Sequence, residues 1–134
     1  MDIVLVDTSV WINFFRGKET EPSLFLKNNL ANIIIATCPV IIQEVLQGVL
    51  HDKEFKKVDS YFNALTKLTG KPYELAHNSA VLYRDIRKKG FTIRKPNDCL
   101  IAAYAIKNNV RLLHDDKDFS FIAMNSGLLI QPVN

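Results

Sequence analysis

Four short, nearly continuous apolar runs, at residues 3–6, 33–36, 110–113 and 128–130, alternate with longer stretches whose apolar positions recur at helical intervals. Runs of this kind suit parallel strands covered on both faces. The helical patterns fall at 9–16, 22–30, 40–50, 53–68, 73–89, 98–108 and 117–125. Thr8 or Ser9 is placed to cap the first of them, and Pro39 suits a first helical turn. Gly90, behind Lys88 and Lys89, reads as a helix stop, as does the pair Asn108-Asn109. Strands separated by helices predict an α/β/α sandwich around a small parallel sheet with right-handed connections. No repeat, low-complexity tract or linker interrupts the pattern, so residues 1–134 are expected to form one domain.

Four acidic residues stand where this pattern has least structural use for them. Asp7 ends the run Ile3-Val4-Leu5-Val6, and Asp116 follows Leu112-Leu113 by a short loop. In open parallel sheets ligands bind beyond the carboxyl ends of the strands, so both are expected on one rim. Asp98 shares a helix face with Ile101, Ala102 and Ala105, and a carboxylate on an apolar face needs a partner. The structural alternative makes Asp98, or Asn97 before it, a helix cap. Glu44 borders the apolar arc of Ile41, Ile42, Val45, Leu46 and Val49, with Gly48 one turn on leaving room for something to approach. If folding gathers these groups, two carboxylates at ~4 Å repel by about 4 kcal/mol at an effective dielectric of roughly 20. A hard divalent cation with oxygen ligands is the usual offset.

The segment His114-Asp115-Asp116-Lys117-Asp118 holds three carboxylates, among which residue type and spacing do not choose. His114 is expected to pack or hydrogen-bond rather than ligate, because such an ion prefers oxygen. Zinc-type Cys/His arrays, a Gly-rich phosphate loop and a serine nucleophile elbow are all missing from the sequence.

Composition changes this picture little. An apolar fraction of 48% and a charged fraction of 23% describe an ordinary globular chain. No stretch reaches the ~20 apolar residues of a membrane span. Met1-Asp2-Ile3-Val4 puts no basic segment ahead of its apolar run, so no secretory signal is expected. Cys38 and Cys99 lie in apolar surroundings and read as two reduced core thiols of a cytoplasmic protein. The net charge of +3 is mild, but Arg84, Arg87, Lys88, Lys89, Arg94 and Lys95 crowd the segment before Asp98. That cluster suits either a solvated helix end or a phosphate-holding patch beside the acids.

Four ordered motifs carry a resemblance over nearly the whole chain. They are Val6-Asp7-Thr8-Ser9-Val10-Trp11-Ile12, Ile41-Ile42-Gln43-Glu44-Val45-Leu46-Gln47-Gly48, Asn97-Asp98-Cys99-Leu100-Ile101-Ala102-Ala103 and Leu112-Leu113-His114-Asp115-Asp116-Lys117-Asp118-Phe119. Together they resemble the PIN-domain ribonucleases, most closely the VapC-type toxins of toxin–antitoxin pairs. The resemblance implies that Asp7, Glu44, Asp98 and Asp116 surround Mg²⁺ or Mn²⁺, with Ser9 and Asp118 in the outer shell. It also implies an endoribonuclease that cleaves RNA, forms a homodimer and is held in check by a cognate VapB-like antitoxin. His114 departs from the pattern, since such toxins usually carry Thr or Ser there. Within that reading Asp7 and Asp98 are the direct ligands, and Arg84, Arg87 or Lys95 position the RNA backbone.

Rival readings differ in their demands. A DNA-directed nuclease would use the same acids, and a noncatalytic binding module would use them to dock a basic segment without metal. A phosphatase of the haloacid-dehalogenase type needs a second Asp two residues after the first, where Ser9 stands.

Overall fold

The computed structural model describes residues 1–133. In chain order the elements are β1 (Ile3–Val6), α1 (Thr8–Arg16), α2 (Glu21–Asn29), β2 (Ile34–Thr37), α3 (Pro39–Gln47), α4 (Asp52–Asn63), β3 (Thr66–Lys67), α5 (Pro72–Lys88), α6 (Asn97–Lys107), β4 (Arg111–Leu113), α7 (Asp118–Met124) and β5 (Leu129–Ile130). The strands form one sheet in the order β3-β2-β1-β4-β5. Every described pairing is parallel. Right-handed crossovers then place α1 to α4 on one face and α5 to α7 on the other. The expected α/β/α sandwich is the observed one.

Local chemistry explains most element ends. Asp7 caps α1, its side chain accepting the Ser9 N–H, and Gly17 closes that helix at φ +70, a conformation that favours glycine. Thr20 and Ser23 make a reciprocal capping box on α2. Pro22, Pro39 and Pro72 each lie in a first turn, where the missing N–H has no intrahelical use. Val4, Leu5, Val6, Ala36, Leu112 and Leu113 are fully buried. Cys38 and Cys99 are separate buried thiols, and burial pushes them up to about 12 and about 11. Among the described residues no helix is long and apolar enough to cross a membrane.

One boundary departs from the pattern. The helix expected over 53–68 stops at Asn63, and Thr66 and Lys67 pair with Ala36 and Thr37 as an edge strand. The Leu68 N–H then donates to the Thr37 carbonyl at 2.8 Å. No Gly or Pro announces this break. The ladder offered by β2 overrides a helical spacing that Val58, Phe62, Leu65 and Leu68 continue past the break.

Candidate active site

The strand order reverses direction between β1 and β4, which makes the crevice beyond their carboxyl ends the topological switch point. The two strand ends are tied there by the Asp7 N–H, which donates to the Leu113 carbonyl at 2.9 Å. A cleft of about 310 Å³ opens at this place, lined by Asp7, Thr8, Ser9, Ile12, Asn13, Glu44, Lys95, Asp98, Asp115 and Asp116. Two helices, α3 and α6, and the segments that follow β1 and β4 therefore bring Glu44, Asp98, Asp7 and Asp116 to one surface.

Each acid is held differently. Asp7 is buried, and its Oδ2 accepts from the Ser9 N–H at 3.0 Å and the Ser9 hydroxyl at 2.6 Å. Capping and cleft lining coincide in this residue, which takes the cap expected of Thr8 or Ser9. Its Oδ1 is buried with no hydrogen-bond partner. Asp98 lies in the first turn of α6 and caps nothing, since neither it nor Asn97 supplies a side-chain cap. Its Oδ2 is likewise buried and unpartnered. Glu44 is half-buried and accepts from the Thr8 hydroxyl through Oε1 at 2.8 Å. Asp116 Oδ1 accepts the Asp118 N–H at 3.0 Å and Arg94 Nη2 at 2.9 Å, while Oδ2 meets Lys95 Nζ at 3.0 Å.

Electrostatics separate the acids into two kinds. Burial, then the charge of Asp7, pushes Asp98 up to about 7, with Asp116 and Glu44 adding and Lys95 opposing. Burial also raises Asp7 above the ordinary range, against the lowering hydrogen bonds of Ser9. Burial would raise Asp116 too, but the Asp118 N–H, Lys95 and Arg94 reverse it and hold that carboxyl below its usual value. Burial works against the Lys95 charge, yet Asp116, Asp98 and Asp7 more than offset it and raise the ammonium.

The three carboxylates of the last motif have three distinct attachments. Asp115 Oδ2 accepts from Asn13 Nδ2 at 2.7 Å and the Thr20 hydroxyl at 2.6 Å, tying α1 and the start of α2 to the end of β4. Its N–H donates to Ser9 Oγ at 3.0 Å, which braces the hydroxyl already bound to Asp7. Asp118 Oδ2 accepts from the Arg94 backbone N–H at 3.1 Å and from Arg94 Nε at 3.2 Å. It neither caps α7 nor lines the cleft, and its side chain reaches the acids only through Arg94. His114 packs against Phe119 at 5.3 Å, and its Nδ1 accepts the Asp116 N–H at 3.3 Å. Burial lowers it, so the imidazole is neutral near pH 7.

The basic cluster divides. Only Arg94 and Lys95 meet the acids. Arg87 lies over the Tyr83 ring at 5.6 Å, and Arg84 lines a separate hollow with Pro96 and Asn97, so neither is placed to serve the cleft. Sequence reasoning missed Thr8 and Thr20, because polar residues at a helix start carry a capping explanation of their own, and Asn13, because a polar residue inside a helix reads as solvated. Nothing in the sequence singled out Arg94 from its five basic neighbours.

The bare Asp7 and Asp98 oxygens fit a hard cation. Two buried anionic acceptors left without donors are costly unless an ion satisfies them. Among the described residues no three acidic, cysteine or histidine groups form a ready-made cage. The donors thus line an open cleft, with Lys95 standing beside them.

Asp115 and Asp116 can be told apart by mutation. Asp115→Ala strips the acceptor from Asn13 and Thr20 and is expected to cost about 1–3 kcal/mol of stability. The Ser9 contact uses the Asp115 backbone and survives. Chemical denaturation should therefore register a larger change than any assay of the cleft. A variant as stable as wild type would remove the bracing role given to Asp115.

A doubly covered parallel sheet with acids at its switch point is the architecture of a PIN domain. The PIN-domain family model matches residues 4–124, and the chain belongs to that family. It is 34% identical over 128 residues to the VapC ribonuclease Mb1587 of Mycobacterium bovis, covering 94% of this chain and 96% of that one. Ribonuclease VapC11 of Mycobacterium tuberculosis matches to the same extent, 34% over 128 residues. In fold the chain is similar to VapBC-1 from nontypeable Haemophilus influenzae, with a TM-score of 0.73, 18% identity and 98% of each chain covered.

Proposed function

We propose that this protein is a metal-dependent endoribonuclease, the toxin of a toxin–antitoxin pair, with Asp7, Glu44, Asp98 and Asp116 as its site. The observation that carries the metal reading is the pair of buried, unpartnered oxygens, Asp7 Oδ1 and Asp98 Oδ2, on two residues that line one cleft. The similarity to named VapC ribonucleases supports RNA as the substrate.

Asp7 and Asp98 would hold Mg²⁺ or Mn²⁺, and Glu44 and Asp116 would hold its waters or a second ion. Such an ion, when bound, polarises a phosphoryl oxygen and makes hydroxide available near neutral pH. The remaining chemistry belongs to the chain. Thr8 fixes Glu44 through Oε1, which leaves Oε2 to accept a proton from the attacking water. Ser9 orients Asp7, itself braced by the Asp115 N–H. Asp118 acts at one remove, by holding Arg94 on Asp116. Lys95 and Arg94 supply positive charge at the rim for the RNA backbone, which positions the strand without reading its sequence.

The partner we propose is a VapB-like antitoxin, by analogy with the VapBC assembly that shares this fold. A homodimer and a cytoplasmic setting complete the reading, the latter resting on two thiols that burial keeps unreactive. The test is purified protein with single-stranded RNA, single-stranded DNA and a metal series. Cleavage of RNA is expected with Mg²⁺ or Mn²⁺ and is expected to vanish in EDTA. Undiminished cleavage in EDTA would refute the metal reading, and faster cutting of DNA would refute the substrate.

A further inference from the structure

We infer that Lys95 is a built-in competitor of the divalent cation, occupying the carboxylate cleft of the metal-free protein and released by metal binding to hold the RNA phosphate. This rests on the metal-dependent reading above and adds to it a device that links metal loading to substrate grip.

The two cations on Asp116 are attached in different ways. Arg94 is fixed at three points: its backbone N–H and Nε both reach Asp118 Oδ2, and its Nη2 reaches Asp116 Oδ1. The segment carrying it is also pinned from behind, where Phe91 stacks on Phe121 of α7 with centroids 4.6 Å apart. Lys95 has one anchor, Asp116 Oδ2 at 3.0 Å, on a side chain 52% exposed. Arginine's planar fork favours a rigid multidentate role, whereas a lysine is a mobile point charge on a flexible stem.

The oxygens of Asp116 differ accordingly. Oδ1 is already shared by Arg94 and the Asp118 N–H. Oδ2 has only the ammonium. A cation held by Asp7 and Asp98 that also engages Asp116 must therefore take Oδ2, and Lys95 is what it displaces. Both cannot stay, because like charges at contact distance repel by as much as the opposite pairs attract. The freed ammonium remains at the rim of the same cleft. There a phosphodiester oxygen is the natural replacement for the carboxylate it has lost.

The test is Mn²⁺ binding, followed by the electron paramagnetic resonance of the free ion, with RNA cleavage measured at saturating Mn²⁺. Lys95→Met is expected to bind Mn²⁺ about tenfold more tightly than wild type, a modest factor because the pair is half-exposed. The same variant is expected to lose about tenfold in kcat/KM for RNA, chiefly through KM. Tighter metal with weaker RNA is a split that general damage to the fold would not produce. Lys89→Met makes the same charge change at a side chain bonded to Asn125, outside the cleft, and should alter Mn²⁺ affinity less than about twofold. Equal tightening in both variants, or none in Lys95→Met, overturns the competitor role. Unchanged KM in Lys95→Met overturns the transfer to phosphate. Asp98→Asn separates this from the parent reading: if it binds Mn²⁺ as well as wild type does, the ion lies elsewhere and the metal site itself is misassigned.

Discussion

Replacing Asp98 by asparagine is expected to abolish RNA cleavage while making the metal-free protein more stable at alkaline pH. The first effect follows from removing one of two bare anionic oxygens proposed to hold the ion. Metal-supplied stabilisation of several kcal/mol corresponds to a loss on the order of 10³-fold in rate. The second effect follows from the direction of the Asp98 shift. The folded protein keeps the Asp98 proton up to about 7, whereas the unfolded chain releases it near 3.8. Between these values the native state binds more protons, so stability falls as pH rises, and the whole penalty is present above about pH 7. That interval is worth on the order of 4 kcal/mol if all of it were relieved. Water and counter-ions entering the cleft, and the raised Asp7 beside it, will return only part of this. Melting of both proteins in EDTA at pH 5 and pH 8 checks the sign. The variant should gain at both values, and distinctly more at pH 8 than at pH 5. A variant that melts earlier than wild type at pH 8 would mean that Asp98 is a satisfied structural group.

Trp11→Ala is expected to cost about 3–5 kcal/mol, a large part of the 5–15 kcal/mol that holds a typical domain folded. Trp11 is fully buried and lies at the centre of an aromatic cluster. Its ring centroid is 5.8 Å from Phe14, 5.5 Å from Phe15, 5.7 Å from Tyr61 and 5.0 Å from Phe62. The cluster fastens α1 to α4, and α1 carries Ser9 while Asp7 caps it. Packing outside the cleft lining thereby sets the orientation of two site residues. The indole Nε1 is buried without an acceptor, so Trp11→Phe drops an unsatisfied donor along with some volume. That variant should lose clearly less than Trp11→Ala, because it removes less buried volume and no satisfied hydrogen bond. Urea unfolding of the two variants separates packing from hydrogen bonding. Near-equal losses would show that the N–H has a partner after all.

The acids were legible for a physical reason. A carboxylate at the end of an apolar strand or on the apolar side of a helix has no local use, and Asp7 and Asp98 stand in just such places. Their environments were not legible. Nothing in the run His114 to Phe119 distinguishes a bracing Asp115 from a cleft-facing Asp116 and an arginine-holding Asp118. The difference lies in Asn13, Thr20 and Arg94, which are 102, 95 and 24 residues away from the carboxylates that they contact. The basic cluster misled for the same reason. Six neighbouring cations look equivalent in one dimension, yet the turn after Gly90 directs only Arg94 and Lys95 onto the acids.

Sequence alone determined the layer architecture and the parallel sheet and marked Asp7 and Asp98 as candidates, because burial imposes periodicity and departures from it are visible position by position. Tertiary structure decided which oxygens are left bare, which cation is fixed and which is exchangeable, and where α4 yields to an edge strand. Those outcomes depend on hydrogen-bond geometry between segments far apart in the chain, and no local pattern encodes a distance.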